Sequence, residues 1–165
     1  MDIVIREARP DEYAELGEIT AQAYLKDGLL DQNETDDYAN TLRDVARRAA
    51  HGEILVAVAD DRLLGGVAYA PPGSELADIA TGGEAEFRML AVAREARGRG
   101  AGEALVRACI DRARATEGVT RIVMSTQPAM RGAQRLYERL GFTRTPERDW
   151  SPVPRLELLT YGLDL

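Results

Sequence analysis

The sequence predicts one mixed α/β domain over residues 1–165. Three observations carry that expectation. Short β-type stretches recur along the chain, among them residues 2–8, 54–59, 63–70, 84–92 and 121–126. Between them lie stretches with apolar residues at helical spacing, such as Ala133, Leu136, Tyr137 and Leu140 at i, i+3, i+4 and i+7. A glycine-rich run, Arg97-Gly98-Arg99-Gly100-Ala101-Gly102, joins a strand to a helix.

The elements follow in order. Residues 2–8 alternate around Ile3 and Ile5 and read as a strand. Pro10, then Asp11 and Glu12, suit the start of a helix running to about Tyr24, which Lys26-Asp27-Gly28 ends. A second helix spans residues 36–50, with Tyr38, Leu42, Val45, Ala46 and Ala49 as its apolar stripe. Residues 54–59 and 63–70 form a hairpin around Asp60-Asp61-Arg62, and Pro71-Pro72-Gly73 opens a loop through residue 83. Residues 84–92 are the central strand, followed by the glycine turn and a helix over 100–116 that Gly118 closes. A strand at 121–126 leads, through Pro128, to a helix ending at Leu140. Gly141 takes the left-handed position after it, and strands at 142–145 and 155–163 complete the chain.

Composition narrows the function. A chain of 165 residues with 45% hydrophobic content is long enough for a proper core. Its 21 basic and 28 acidic residues give a net charge of −7, which argues against nucleic acid as a partner. One cysteine, Cys109, allows no disulfide within the chain, and its place mid-helix among Leu105, Ala108 and Ala113 suits packing. With a single histidine, His51, besides, no metal site is expected from these residue types. No apolar run approaches membrane-spanning length and no apolar leader is visible, so a cytoplasmic protein without a membrane partner is expected.

The glycine turn is the most informative segment. The first backbone N–H groups of a helix lack internal partners, and the peptide dipoles leave partial positive charge there. Glycines let a phosphate approach those groups with no Cβ in the way. A pyrophosphate cradle follows, or else a solvated Arg-Gly surface turn. A dinucleotide fingerprint fails on spacing: its third glycine would fall at Glu103 or Leu105. A Walker loop fails too, because no Gly-Lys-Ser or Gly-Lys-Thr occurs.

The pattern Arg/Gln-x-x-Gly-x-Gly/Ala does fit, through Arg97, Gly100 and Gly102. A second segment, Ala133-Gln134-Arg135-Leu136-Tyr137-Glu138-Arg139-Leu140-Gly141-Phe142, follows it with one strand between. Together, in this order, the two resemble the signature segments of the GCN5-related N-acetyltransferase (GNAT) superfamily. The resemblance covers residues 54–146. It implies that family's acyl-CoA N-acyltransferase fold: a mixed sheet with helices on both faces, splayed between the fourth and fifth strands.

The resemblance also implies a chemistry. Acetyl-CoA, the acyl donor, would lay its pyrophosphate on the backbone of Arg97, Gly98, Arg99, Gly100, Ala101 and Gly102. The Arg97 and Arg99 side chains then either touch phosphate or stay in solvent. The pantetheine arm would pair with main-chain groups of Leu90, Ala91 and Val92, in the manner of an added strand. Tyr137 would protonate the leaving thiolate, its phenol having an ordinary pKa of about 10; as a core tyrosine it would only pack. A primary amine is about 0.04% neutral at pH 7, so a base matters. Glu86 stands where several family members carry a glutamate base; the alternative is a solvated acid at a strand start. Glu84 shares its parity and is the weaker candidate.

One departure from the family pattern is Met130, where many members carry an asparagine that bonds the pantetheine. Ser125 and Thr126 offer hydroxyls nearby. The resemblance implies an amine acceptor, on a small molecule, an antibiotic, a peptide or a protein. Tyr24, Asp27, Asp31, Glu34, Asp36 and Asp37 form an acidic region that either attracts it or solvates the chain. Trp150, the only tryptophan, lies in the proline-stiffened segment 149–154, which reads as a loop and a pocket wall or core cover. A homodimer is possible by analogy with relatives. The rival readings are a non-catalytic acyl-CoA sensor and an acyltransferase using a longer acyl chain or an oxygen acceptor.

Overall fold

A computed structural model describes residues 2–26, 35–154 and 156–165. The chain divides into two compact units, residues 1–69 with 89–109 and residues 70–88 with 110–165. The chain passes between them within the fourth strand and the fourth helix.

In the first unit, β1 (Val4–Glu7), β2 (Glu53–Ala59), β3 (Arg62–Ala70) and the distal half of β4 (Glu84–Val92) are neighbours in that order. β1 and β2 pair antiparallel, Val4 opposite Val58. The β2–β3 turn is the two residues Asp60 and Asp61, with φ of 51° and 60°. Positive φ at both central residues is what a hairpin turn matching strand twist requires, and aspartate tolerates it better than most residues. β3 lies so close to β4 that a Cβ built on Gly65 would come 2.3 Å from the Ala91 carbonyl oxygen. Only glycine permits that approach.

Helix α1 (Tyr13–Lys26) follows a 3-10 turn at Pro10–Glu12, and buries Leu16, Thr20 and Ala21. The single helix expected over 36–50 is instead two, α2 (Thr35–Arg43) and α3 (Val45–Ala49). Asp44 divides them: its carboxylate accepts the Arg47 N–H at 3.1 Å, an N-cap that restarts the helix. Arg48, only 6% exposed, turns back and donates to the Thr41 and Leu42 carbonyls at 2.7 and 2.8 Å. It thereby satisfies the last acceptors of α2. Leu42, Val45, Leu55, Val56, Leu105 and Val106 are core residues of this unit.

In the second unit the order is β4, β5 (Arg121–Thr126), β8 (Leu156–Asp164) and β6 (Thr143–Arg144), with β7 (Trp150–Val153) also pairing β8. β4 and β5 run parallel, Glu84–Glu86 against Arg121–Val123. Recorded pairing stops there, although β5 continues to Thr126 and pairs antiparallel with β8 along its whole length. Helix α4 (Ala101–Ala115) precedes β5, and α5 (Arg131–Arg139) follows it. The Phe142 N–H bonds the Tyr137 carbonyl at 3.0 Å, and Gly141 sits at φ 100°, the left-handed exit expected at a helix end.

β7 corrects the expectation of a loop at 149–154. Pro152 suggested an interruption, but the β7–β8 pairing shifts register between Trp150 and Val153. A proline fits a strand where the ladder is irregular, because no N–H is missed there.

Candidate active site

The glycine turn has the geometry its sequence implies. β4 ends at Val92, a 3-10 turn covers Arg94–Ala96, and Arg97 is extended. Gly98 and Gly100 then adopt φ of 80° and 87°, and the position a Cβ would take at each meets no atom within 4 Å. The Gly100 carbonyl accepts the Ala104 N–H at 3.0 Å, which starts the ladder of α4. The N–H groups of the first helical turn precede that ladder, where a helix has no internal acceptor to offer them. Residues 97–100 are exposed and Ala101 is buried. The space beside both glycines is open, and the positive end of a 15-residue helix dipole lies next to it.

Upstream, Met89 has φ 57°, a left-handed residue inside a strand that is not glycine. Such backbone is costly and collects at functional sites. Beside it, the Leu90 carbonyl accepts a long 3.4 Å bond from the hydroxyl of Tyr24 on α1. Val92 and Arg97 help line a groove of about 290 Å³ with Ile19, Gln22 and Ala23 of α1. Leu90, Ala91, Val92 and residues 97–102 thus all belong to the first unit.

Tyr137 and Glu86 belong to the second. Tyr137, on α5, is 3% exposed. Its ring meets Phe87 of β4 at 5.7 Å, Phe142 at 6.0 Å and Tyr161 of β8 at 6.1 Å, tilted or edge-on in each case. Three rings from three parts of the chain therefore fix its plane. Tyr161 in turn donates its hydroxyl to Glu138 at 3.2 Å.

Glu86 is fully buried. Its Oε1 accepts three consecutive backbone N–H bonds, from Asp78 at 3.0 Å, Ile79 at 2.8 Å and Ala80 at 2.9 Å. Oε2 is buried with no hydrogen-bond partner. Burial pushes the carboxyl above the ordinary glutamate value, while the three N–H bonds pull against that rise. Strand alternation puts Glu86 on the same face of β4 as Glu84 and Arg88, opposite to Phe87, the residue that meets Tyr137. The two candidate catalytic groups therefore stand on opposite sides of β4.

Glu84 is held by Arg148, which donates to both of its oxygens at 2.8 Å and to the Ile79 carbonyl, also at 2.8 Å. That pairing lowers the Glu84 pKa. Arg148 and the 76–81 loop escaped sequence reasoning; the shared parity of Glu84 and Glu86 was the one signal that both acids face a common partner region. Ser125 accepts the Trp150 indole N–H at 3.0 Å, and the Thr126 hydroxyl is buried with no partner. Met130 caps α5 without a side-chain bond. Cys109 is fully buried in α4. Of the acidic region, Asp27, Asp31 and Glu34 lie outside the described residues, and Asp36 and Asp37 fall in α2.

The glycine turn and the α5 segment both fall within the stretch that a family model matches. The family model described as "Acetyltransferase (GNAT) family" matches residues 13–142, and the chain belongs to that family. Solved structures agree on the fold. An acetyltransferase of the GNAT family from Staphylococcus aureus superposes with a TM-score of 0.74 at 17% identity, covering 99% of both chains. The acetyltransferase yncA from Salmonella typhimurium, solved with its cofactor acetyl-CoA, gives 0.72 at 24% identity over 99% of this chain and 94% of that one. The PaiA N-acetyltransferase from Thermoplasma acidophilum, in complex with coenzyme A, gives 0.73 at 15% identity over 97% and 98%. No curated protein matches the chain in sequence.

Proposed function

We propose that this protein is an N-acetyltransferase that moves the acetyl group of acetyl-CoA directly to a primary amine, both substrates being bound together. The observation that carries the reading is the open space at Gly98 and Gly100, left-handed residues that lead into the start of α4. Acetyl-CoA supplies a carbonyl activated as a thioester. The backbone of residues 97–102 holds the pyrophosphate, and main-chain groups of Leu90, Ala91 and Val92 hold the pantetheine arm. Glu86 removes a proton from the attacking amine, directly or through water, and Tyr137 donates one to the departing sulfur. Buried Cys109 takes no part.

Calorimetric titration with acetyl-CoA tests the cradle without knowledge of the acceptor. Micromolar one-to-one binding, weakened at least tenfold in Gly100→Val, is the expected result. A folded protein that binds no acetyl-CoA overturns the reading. Binding without turnover across a broad amine panel supports a sensor instead.

A further inference from the structure

The two oxygens of Glu86 live in opposite conditions. Three successive amide groups, those of Asp78, Ile79 and Ala80, converge on Oε1 within 3.0 Å, while Oε2 is buried and unpartnered. Successive N–H groups aimed at one point form an anion-binding concavity. Here the chain fills it with its own carboxylate, six to eight residues further along. The loop that forms it is fastened from outside. Arg88 bridges Asp78 at 2.9 Å and donates to the Leu76 carbonyl at 3.0 Å. Arg148 donates to the Ile79 carbonyl at 2.8 Å, and the Thr81 N–H bonds Glu84 at 3.1 Å. A glutamate side chain has three rotatable bonds, and an isolated carboxylate at a strand start would turn freely. This one is pinned at one oxygen by a loop that cannot drift.

We propose that the backbone of residues 78–80 is the positioning element of the catalytic base, gripping Oε1 of Glu86 so that Oε2 alone is left to take the proton of the acceptor amine, directly or through water. The proposal rests on the reading of Glu86 as the base. In that step an N–H bond of the ammonium breaks and its electron pair stays on nitrogen. An O–H bond forms at Oε2, and the carboxylate becomes a neutral carboxyl. Oε1 remains an acceptor throughout, so the grip survives the transfer and the base returns to the same place for the next cycle. The charged groups that act on it are Asp78 in the loop and Arg148 in the turn 146–148, and Glu84 and Arg88 share its face of β4. Asp78 is matched by Arg88, and Glu84 by Arg148 at 2.8 Å and Arg121 at 4.0 Å. Each acid beside Glu86 thus has its own cation.

The test is a pH titration of the intact protein by amide NMR, read beside the pH dependence of kcat/KM. The Ile79 and Ala80 amide protons are expected to shift together, with one apparent pKa that coincides with the acid limb of kcat/KM. Glu86→Gln should abolish that titration. Amides that stay silent between about pH 4 and 9, or that still titrate in Glu86→Gln, overturn the proposal. Silent amides with an acid limb abolished by Glu86→Gln overturn the grip alone and leave the base. Titrating amides with an acid limb elsewhere overturn the base, and the positioning role falls with it. In Ala80→Pro, which deletes one N–H, the acid limb should move up by about one unit, the worth of one charge-assisted bond, with acetyl-CoA affinity unchanged. An unmoved limb in that folded variant overturns the proposal.

Discussion

Arg148 and Glu84 meet as planar fork to carboxylate, each of the two Nη atoms lying 2.8 Å from a different carboxylate oxygen. Both are mostly shielded, with side chains 24% and 13% exposed. A bidentate pair in such a setting is stronger than a surface ion pair. Arg148→Ala should destabilise the protein by about 2 kcal/mol and also loosen the Ile79 loop. The Glu84 pKa is depressed, so the pair stabilises the fold above the unfolded carboxyl pKa and loses its effect as pH falls through the folded value. The melting-temperature gap between wild type and variant should therefore close in acid; a gap that stays constant down to about pH 3 contradicts this.

Asp149 gives a sharper case. Its carboxylate takes both Nη atoms of Arg144 at 2.8 Å and the Thr160 N–H at 2.9 Å, and the Arg144 bond leads in lowering its pKa to about 2. Asp149→Asn should cost about 1–2 kcal/mol at neutral pH. That difference should vanish between about pH 4 and 2, where the native aspartate becomes protonated. Urea denaturation at a series of pH values measures it.

Tyr137→Phe keeps the aromatic cluster and removes only the hydroxyl. Turnover should fall by about 10²-fold, with acetyl-CoA affinity within about twofold of wild type. Steady-state kinetics with calorimetry separates the two; unchanged turnover removes Tyr137 from the mechanism.

Glu86→Gln should slow the reaction by about 10²-fold at neutral pH. The loss should concentrate at low pH, where the amine most needs a base. Because burial raises the Glu86 pKa, the wild-type acid limb should lie above the ordinary value of 4.5. A pH–rate profile that keeps its shape in the variant points to another base.

Local signals carried much of this far. Residues 84–92 and 121–126 are strands with the bounds their sequence suggests, because period and breakers are written within each segment. The turn at residues 97–100 was legible because left-handed backbone at Gly98 and Gly100 favours glycine. What escaped depends on partners distant in sequence. Asp44 looks like any polar residue on an amphipathic stripe until its carboxylate caps the next helix. β7 pairs through a bulge that Pro152 hides. The grip on Glu86 uses backbone amides, which every residue carries, so no sequence pattern marks it. Arg148 lies 64 positions from Glu84, and nothing local couples them.

Trp150 is the only indole in the chain, half-buried, with its N–H tied to the Ser125 hydroxyl at the end of β5. Intrinsic emission excited at the red edge of protein absorbance therefore comes from one spot, at the junction of β5 and the β7–β8 hairpin. The protein carries its own fluorophore in the second unit, with no counterpart in the first. A colour change on denaturation dates the opening of that hairpin, and a mismatch with the loss of helical signal would show that the hairpin and the helices melt apart, without a single label being attached.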